Sequence, residues 1–187
     1  EAMLLRAITC NPGFCDAHAN LATLYSKLGR MTEAFSHFAE ALVLRPRDRN
    51  NRRLLAVAYG HAGRMMDGQA ACLEWLALEP DNAQAMHLLA AFGGSPTPER
   101  ASDRYVEEEF DGFANSFDAK LADLNYRAPE LIGETVTRLR TTADQQWKIL
   151  DVGCGTGLCG PHLKPFARHL VGVDLSANML ARAGEPA

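Results

Sequence analysis

The sequence predicts two kinds of structure in series, an α-helical solenoid and then the opening of an α/β domain. Three observations predict this. Prolines at 12, 46 and 80 recur at a step of 34 residues. The segment "GGSPTPE", residues 93–99, breaks the helical pattern with two glycines and two prolines. Finally, "KILDVGCGTG", residues 148–157, sets three alternating glycines directly behind a short apolar run.

Composition narrows the function classes. The 187 residues are 47% apolar, as in globular chains, and the formal net charge is −4. Residues 1–94 balance nine Lys/Arg against nine Asp/Glu, and residues 95–187 set ten against fourteen. With no basic stripe in either part, nucleic acid is not an expected partner. The five cysteines (Cys10, Cys15, Cys72, Cys154, Cys159) include no CxxC pair, so neither a zinc site nor a disulfide framework is expected. No apolar run approaches the ~20 residues that span a bilayer, so no membrane association is expected. Nothing at the start reads as a secretory leader, and the cytoplasm is the expected compartment. The chain opens at Glu1 within a helical pattern, as a fragment would.

The 34-residue step extends beyond the prolines. Leu21, Leu55 and Leu89 keep it, as do Ala22, Ala56 and Ala90. Tyr25 pairs with Tyr59, and Gly29-Arg30 with Gly63-Arg64. The physical logic is that of paired helices. Small residues let helices approach, aromatics fill the gaps between them, glycine makes the turn and proline ends each pair. Helices are expected near 16–28, 31–44, 50–62, 65–78 and 82–92, with residues 1–9 as the second helix of an earlier pair. These units resemble tetratricopeptide repeats, and the resemblance implies a concave surface for a protein or peptide partner. Asn20, Arg52, Arg53 and His61 are candidate polar contacts on a helix face, each with a solvated surface role as the alternative. The second unit departs from the pattern. Gly68 stands where the first has Ala34, and Trp75 where it has Ala41, so distorted packing is expected there.

After the break, helix returns. Tyr105, Phe110, Phe113 and Phe117, then Leu121 and Leu124, fall at mostly helical steps along one face, although Gly112 weakens the pattern. Pro129 ends that run, and a second helix is expected from Pro129 to Leu139. The aromatics read as core, or in part as a lid over a pocket. Glu107, Glu108 and Glu109 read as a solvated face. The segment "YVEEEFDGFANSFDAKLADLNYRAPELI" resembles the one that precedes the catalytic core in bacterial methyltransferases fused to tetratricopeptide repeats. That resemblance makes Tyr126 a candidate for enclosing cofactor and substrate.

Ile149, Leu150 and Val152 read as a buried parallel strand, and residues from about Gly157 to Phe166 as a helix in which Pro161 and Pro165 are awkward. Residues 170–173 read as a second strand, and Ser176 as the cap of a helix over 177–182. This is a β-α-β unit, the opening of a doubly wound sheet. Its loop fits two patterns. Gly155 to Gly160 fits G-x-G-x-x-G, with Asp174 lying 19 residues after Gly155, as a dinucleotide site would have it. Asp151 to Gly157 fits D-x-G-x-G-x-G, which resembles motif I of class I methyltransferases that use S-adenosylmethionine. A carboxylate at Asp151 opposes a pyrophosphate and suits an ammonium and a sulfonium. Gly153 adds close backbone approach, and "GVDLSANML" resembles the family's segment after its second strand. Asp174 alone does not separate the two cofactors, because both ribose sites use an acidic residue there.

The family resemblance implies roles for particular positions. Asp151 faces the methionine amino group. The backbone of Gly153, Cys154 and Gly155 lines the amino-acid moiety. Asp174 holds the ribose, and Leu175 lies along the adenine. No metal is expected, and no catalytic residue can be named. The expected fold is therefore a tetratricopeptide solenoid followed by α/β, a truncated Rossmann-like methyltransferase domain. The expected division is residues 1–94 for the repeats, 95–102 for a linker, 103–145 for a helical cap and 146–187 for the β-α-β part. The expected function is S-adenosylmethionine-dependent methyl transfer, with repeats that bind a partner. The chain supplies two of about seven strands, so it is expected to be inactive and weakly stabilised by itself. The alternatives are a non-catalytic repeat scaffold with a vestigial nucleotide fold, and an NAD-dependent oxidoreductase.

Overall fold

The structure is a computed structural model that describes residues 1–139 and 146–184. The expected boundary between cap and sheet at 145/146, and residues 185–187, lie outside the described residues. The chain divides into two compact units, Glu1–Ala101 and Ser102–Ala187.

The first unit is helical throughout. Its elements are α1 (Ala2–Cys10), α2 (Cys15–Lys27), α3 (Met31–Leu44), α4 (Arg49–His61), α5 (Met65–Leu78) and α6 (Ala83–Ala91). These match the expected helices to within one or two residues at each end. The 34-residue period recurs in the atoms. Gly29 and Gly63 have φ of +74° and +68°, a region that a side chain disfavours. Each closes a Schellman turn: Arg30 N–H donates to Tyr25 O, and Arg64 N–H to Tyr59 O, both at 2.9 Å. The guanidinium of Arg30 then lies over the Tyr25 ring at 4.1 Å, and that of Arg64 over Tyr59 at 5.1 Å. Asp48 and Asn82, one period apart, cap α4 and α6 by accepting from Asn51 N–H and Ala85 N–H. The residues before Pro46 and Pro80 leave the helical region, with φ of −135° and −138° and ψ of 81°, as the proline ring favours.

The core follows the small positions. Ala22, Ala34, Ala41 and Ala56 are fully buried, and Leu21, Tyr25 and Phe38 fill the space between helices. Trp75 does not interrupt its helix. Trp75 is fully buried, and α5 runs 14 residues, as α3 does. The second unit adapts elsewhere. The ring of Phe92 occupies the space beside Gly68, where an added Cβ would stand 2.9 Å from it. Gln69 Nε2 donates to Phe92 O. Glycine at 68 therefore makes room for an aromatic ring from the end of the array. Of the four candidate polar contacts, Asn20 and His61 are exposed. Arg52 Nε donates to Pro46 O at 2.9 Å, and Arg53 donates to Asn50 Oδ1 at 3.2 Å.

A histidine pair lies in the first repeat, and sequence reasoning missed it. His18 Nε2 sits 3.2 Å from Pro12 O, which only accepts, so Nε2 carries a proton. His18 Nδ1 faces His37 Nδ1 across 3.0 Å, a contact in which one ring donates and the other accepts. Burial first, and then neighbouring His18, lowers the pKa of His37. The unfolded chain protonates near about 6.5, whereas folded His37 resists until lower pH. Stability from this group is therefore full above that ordinary value and lost as pH falls through it toward the folded one. Thermal unfolding of the intact protein followed from pH 7.5 to 5.5 is expected to show a falling midpoint for the repeat unit. His37→Gln is expected to flatten that dependence, and an unchanged slope would contradict the assignment.

The second unit comprises α7 (Asp103–Phe113), a 3-10 turn at Ala114–Ser116, α8 (Phe117–Asp123), α9 (Ala128–Leu139), β1 (Trp147–Val152), α10 (Gly160–Leu163), a 3-10 turn at Lys164–Phe166, β2 (Ala167–Val173) and α11 (Ala177–Ala183). Gly112 does not end α7. The break comes at the 3-10 turn, which places Phe113 and Phe117 on different elements. Pro129 sits in the first turn of α9, where its missing N–H costs nothing. β1 and β2 pair in parallel, with Asp151 opposite Gly172 and Val152 opposite Val173.

Two sequence expectations need correction here. The helix expected over 157–166 is only one α-turn, α10, followed by the 3-10 turn. Gly157 has φ of +84° and cannot be helical, and Pro161 confines the α-turn to a start at Gly160. The strands are also not buried on both faces. Leu150, Val152, Val171 and Val173 are 61%, 75%, 54% and 42% exposed, all on one face, while Trp147, Ile149 and Asp151 alternate onto the covered side.

Candidate functional site

The glycine loop follows β1 at the carboxyl end of the sheet. Gly153, Gly155 and Gly157 all have positive φ, at +77°, +55° and +84°. Three left-handed residues in five coil the chain tightly, which only glycine permits cheaply. The loop's amides are then used within the chain. Gly153 N–H and Cys154 N–H both donate to Val173 O, at 2.8 and 3.1 Å. Gly157 N–H donates to Cys154 O at 2.9 Å, and Gly155 N–H donates to Asp174 Oδ2 at 2.8 Å. The amides of Gly153, Cys154, Gly155 and Gly157 are thus not free to cradle an anion.

Asp174 stands between the strand end and the next helix. Its Oδ1 accepts from Ser176 N–H at 2.9 Å while Oδ2 holds the glycine loop. Each oxygen keeps a second lone pair for a ligand hydroxyl. Ser176 is fully buried and caps α11 by accepting from Met179 N–H. Gly172 is fixed by the loop above it: a Cβ there would stand 2.7 Å from Cys154 Sγ.

A cavity of about 600 Å³ opens against these groups. Gly153, Gly155, Asp174 and Leu175 line it, so the fold brings four of the six expected site residues together. Asp151 and Cys154 are not among the lining residues. Asp151 lies on the strand face opposite to Val152, which does line the cavity. Burial first, and then the Asp151 and Asp174 carboxylates, raises the pKa of Cys154. Burial and Asp151 act likewise on Cys159. Both thiols therefore stay protonated near neutral pH and are poor nucleophiles.

The far wall comes from the leading helices, through Val106, Phe110 and Phe117. Phe117 meets Phe110 and Phe113 edge-on, at centroid distances of 6.4 and 5.6 Å. The candidate lid residue Tyr126 is half exposed and does not line the cavity. Asn125, at φ +52°, closes a Schellman turn after α8, and Tyr126 follows that turn away from the wall. Sequence reasoning also missed Asp111 and Asp118, which bond to the loops from the wall side. Ser176 Oγ–H donates to Asp111 Oδ1, and Thr156 Oγ–H donates to Asp118 Oδ1, both at 2.5 Å. The signal that could have found them is "FDGFANSFD", in which a Phe-Asp pair recurs after seven residues.

Fold and site together define a helical-repeat protein joined to an α/β unit with a glycine-loop ligand cavity. Comparison with known proteins specifies both parts. Residues 3–35 match the tetratricopeptide repeat, and residues 149–187 match a methyltransferase domain. The chain thus joins a tetratricopeptide-repeat segment to a methyltransferase-domain segment. It is similar to human methyltransferase-like protein 27, at 40% identity over 78 residues, covering 41% of this chain and 32% of the relative. It is similar to the glycine/sarcosine N-methyltransferase of Halorhodospira halochloris, at 36% identity over 94 residues, covering 50% of this chain and 34% of the relative. A third relative is the 18S rRNA (guanine-N(7))-methyltransferase of Bos taurus, at 37% over 54 residues, 29% of this chain and 19% of that protein. The chain spans about a third or less of the length of these relatives. Among the described residues no helix is long and apolar enough to cross a membrane.

Proposed function

We propose that the protein is a methyltransferase that uses S-adenosylmethionine, held in the cavity between the glycine loop, Asp174 and the aromatic wall. The observation that carries this reading is the state of the loop. Its amides at 153, 154, 155 and 157 are occupied within the chain, and the charged group facing the cavity is a carboxylate. A dinucleotide needs free amides for its pyrophosphate. A cationic ligand with a ribose needs what this site has, a carboxylate and apolar walls. The methyltransferase relatives support the same choice.

When bound, S-adenosylmethionine supplies a methyl group on a positive sulfonium for direct displacement. The chain's own work is alignment and electrostatics. Asp174 receives the ribose hydroxyls, while its bond to Gly155 holds the loop at a set distance from the strand end. Gly153 and Gly155 leave the backbone bare for the amino-acid moiety, beside Cys154, and Leu175 covers the adenine. Asp151 does not line the cavity, so its pull on the ammonium acts at a distance or through a water. Phe110 and Phe117 exclude water from the other side. The repeat unit, residues 1–94, recruits a protein or peptide partner in the cytoplasm. Residues 103–145 act as the cap over the cofactor domain that begins at residue 146.

The test is calorimetry of the full-length protein with S-adenosylhomocysteine and with NAD. Saturable binding of the first alone is the expected result. NAD binding in its place would overturn the cofactor assignment, and binding of neither would favour a repeat scaffold with an inert nucleotide fold.

A further inference from the structure

The aromatic wall does not merely lie against the cavity. Two hydrogen-bonded carboxylates tie it to the loops after both strands. Phe110-Asp111 lies in the last turn of α7, and Phe117-Asp118 opens α8, with the 3-10 turn at Ala114–Ser116 between them. In each pair the phenylalanine lines the cavity and the aspartate bonds to a loop. Asp111 reaches the loop after β2. Its Oδ1 accepts from Ser176 Oγ–H at 2.5 Å and from Asn178 N–H at 3.1 Å, and its carbonyl accepts from Asn178 Nδ2 at 3.3 Å. Asp118 reaches the loop after β1, accepting from Thr156 Oγ–H at 2.5 Å. Thr156 lies next to Gly155, and Ser176 lies two residues after Asp174. The two latches thus touch the neighbours of both groups that face the ligand.

We propose that Asp111 and Asp118 are positioning residues for the cofactor site, each locking one half of the aromatic wall to one ligand-holding loop. The proposal rests on the cofactor reading above and adds to it a means of closing the site. Neither carboxylate touches the ligand. Each accepts from a hydroxyl donor, and hydrogen bonds from hydroxyls to carboxylates are among the strong ones. Because the bonds span 65 and 38 residues of chain, nothing local replaces them once lost. The 3-10 turn lets the two halves of the wall be held separately, so loss of one latch frees one phenylalanine and one loop.

The experiment is a paired cycle in the full-length protein, read by calorimetry with S-adenosylhomocysteine and by hydrogen exchange without ligand. Asp118→Ala and Thr156→Val are each expected to weaken binding by about tenfold. The double variant is expected to be no worse than either single one, because the two share one bond. Thr156→Ser keeps the hydroxyl and is expected to bind as the wild type does. Asp111→Ala is expected to add a separate, multiplicative loss to Asp118→Ala. In hydrogen exchange, the amides of residues 105–124 and 153–157 are expected to exchange faster in the latch variants, with β1 and β2 unchanged. A global rise in exchange, or binding unchanged by Asp118→Ala, would overturn the proposal. If the wild type binds no S-adenosylhomocysteine, the cofactor reading fails, and exchange alone then decides whether the carboxylates hold the wall to the loops.

Discussion

Asp174→Ala is expected to weaken S-adenosylhomocysteine binding by about a hundredfold or more. The magnitude follows from what the carboxylate holds. Gly155 N–H and Ser176 N–H each donate to it, at 2.8 and 2.9 Å. Those two bonds hold the loops in the free protein, so their loss bears on stability. The affinity loss comes from the proposed ribose contacts of the two carboxylate oxygens, at about 1.5–3 kcal/mol each, and about 2.7 kcal/mol is already a factor of a hundred. Asp174→Asn keeps an acceptor of the same shape and is expected to fall between the two. Calorimetry measures the effect, with circular dichroism to show that the strands survive. Undiminished binding by the alanine variant would remove Asp174 from the site.

The second large effect lies in the repeat unit. Trp75→Ala is expected to destabilise it by about 3–5 kcal/mol, the cost of truncating a buried aromatic. Trp75 is fully buried, whereas Leu73, two residues earlier on the same helix, is 56% exposed. Leu73→Ala is therefore expected to change stability by only about 0.5 kcal/mol. Urea denaturation of the two variants separates the predictions by several-fold. Similar midpoints for both would mean that Trp75 is not the packing element its burial implies. The contrast matters because whole domains are stable by only about 5–15 kcal/mol, so one tryptophan decides whether this unit stays folded.

Much of the fold was legible because its causes are local. The 34-residue step recurs as Schellman glycines at 29 and 63, as Tyr-Arg stacking and as caps at Asp48 and Asn82, all set within a few residues of sequence. Where the reading failed, either a distant group had intervened or a local turn had been overlooked. Trp75 looked like a defect against Ala41 but is fully buried in an uninterrupted helix, and Phe92, from the end of the array, fills the space that Gly68 leaves. The helix expected after the glycine loop overlooked the positive φ of Gly157, which delays the α-turn to Gly160. Tyr126 was named for the cavity from the resemblance of its segment to those preceding methyltransferase cores. The turn at Asn125 leaves it outside, and Phe110 and Phe117 take the wall.

The candidate site divides along the same line. The sequence by itself determined the two segments and their order. It also determined that the glycines follow a strand and that Asp174 follows the next one, because strand, loop and cap are encoded by neighbouring residues. Only the tertiary structure decided who meets whom. It turned four loop amides inward, left Asp151 off the cavity lining and set Asp174 in it, and joined Asp111 and Asp118 to hydroxyls 65 and 38 residues away. Such bonds leave no period in the sequence, because their geometry comes from how helices and sheet pack and not from the residues beside them.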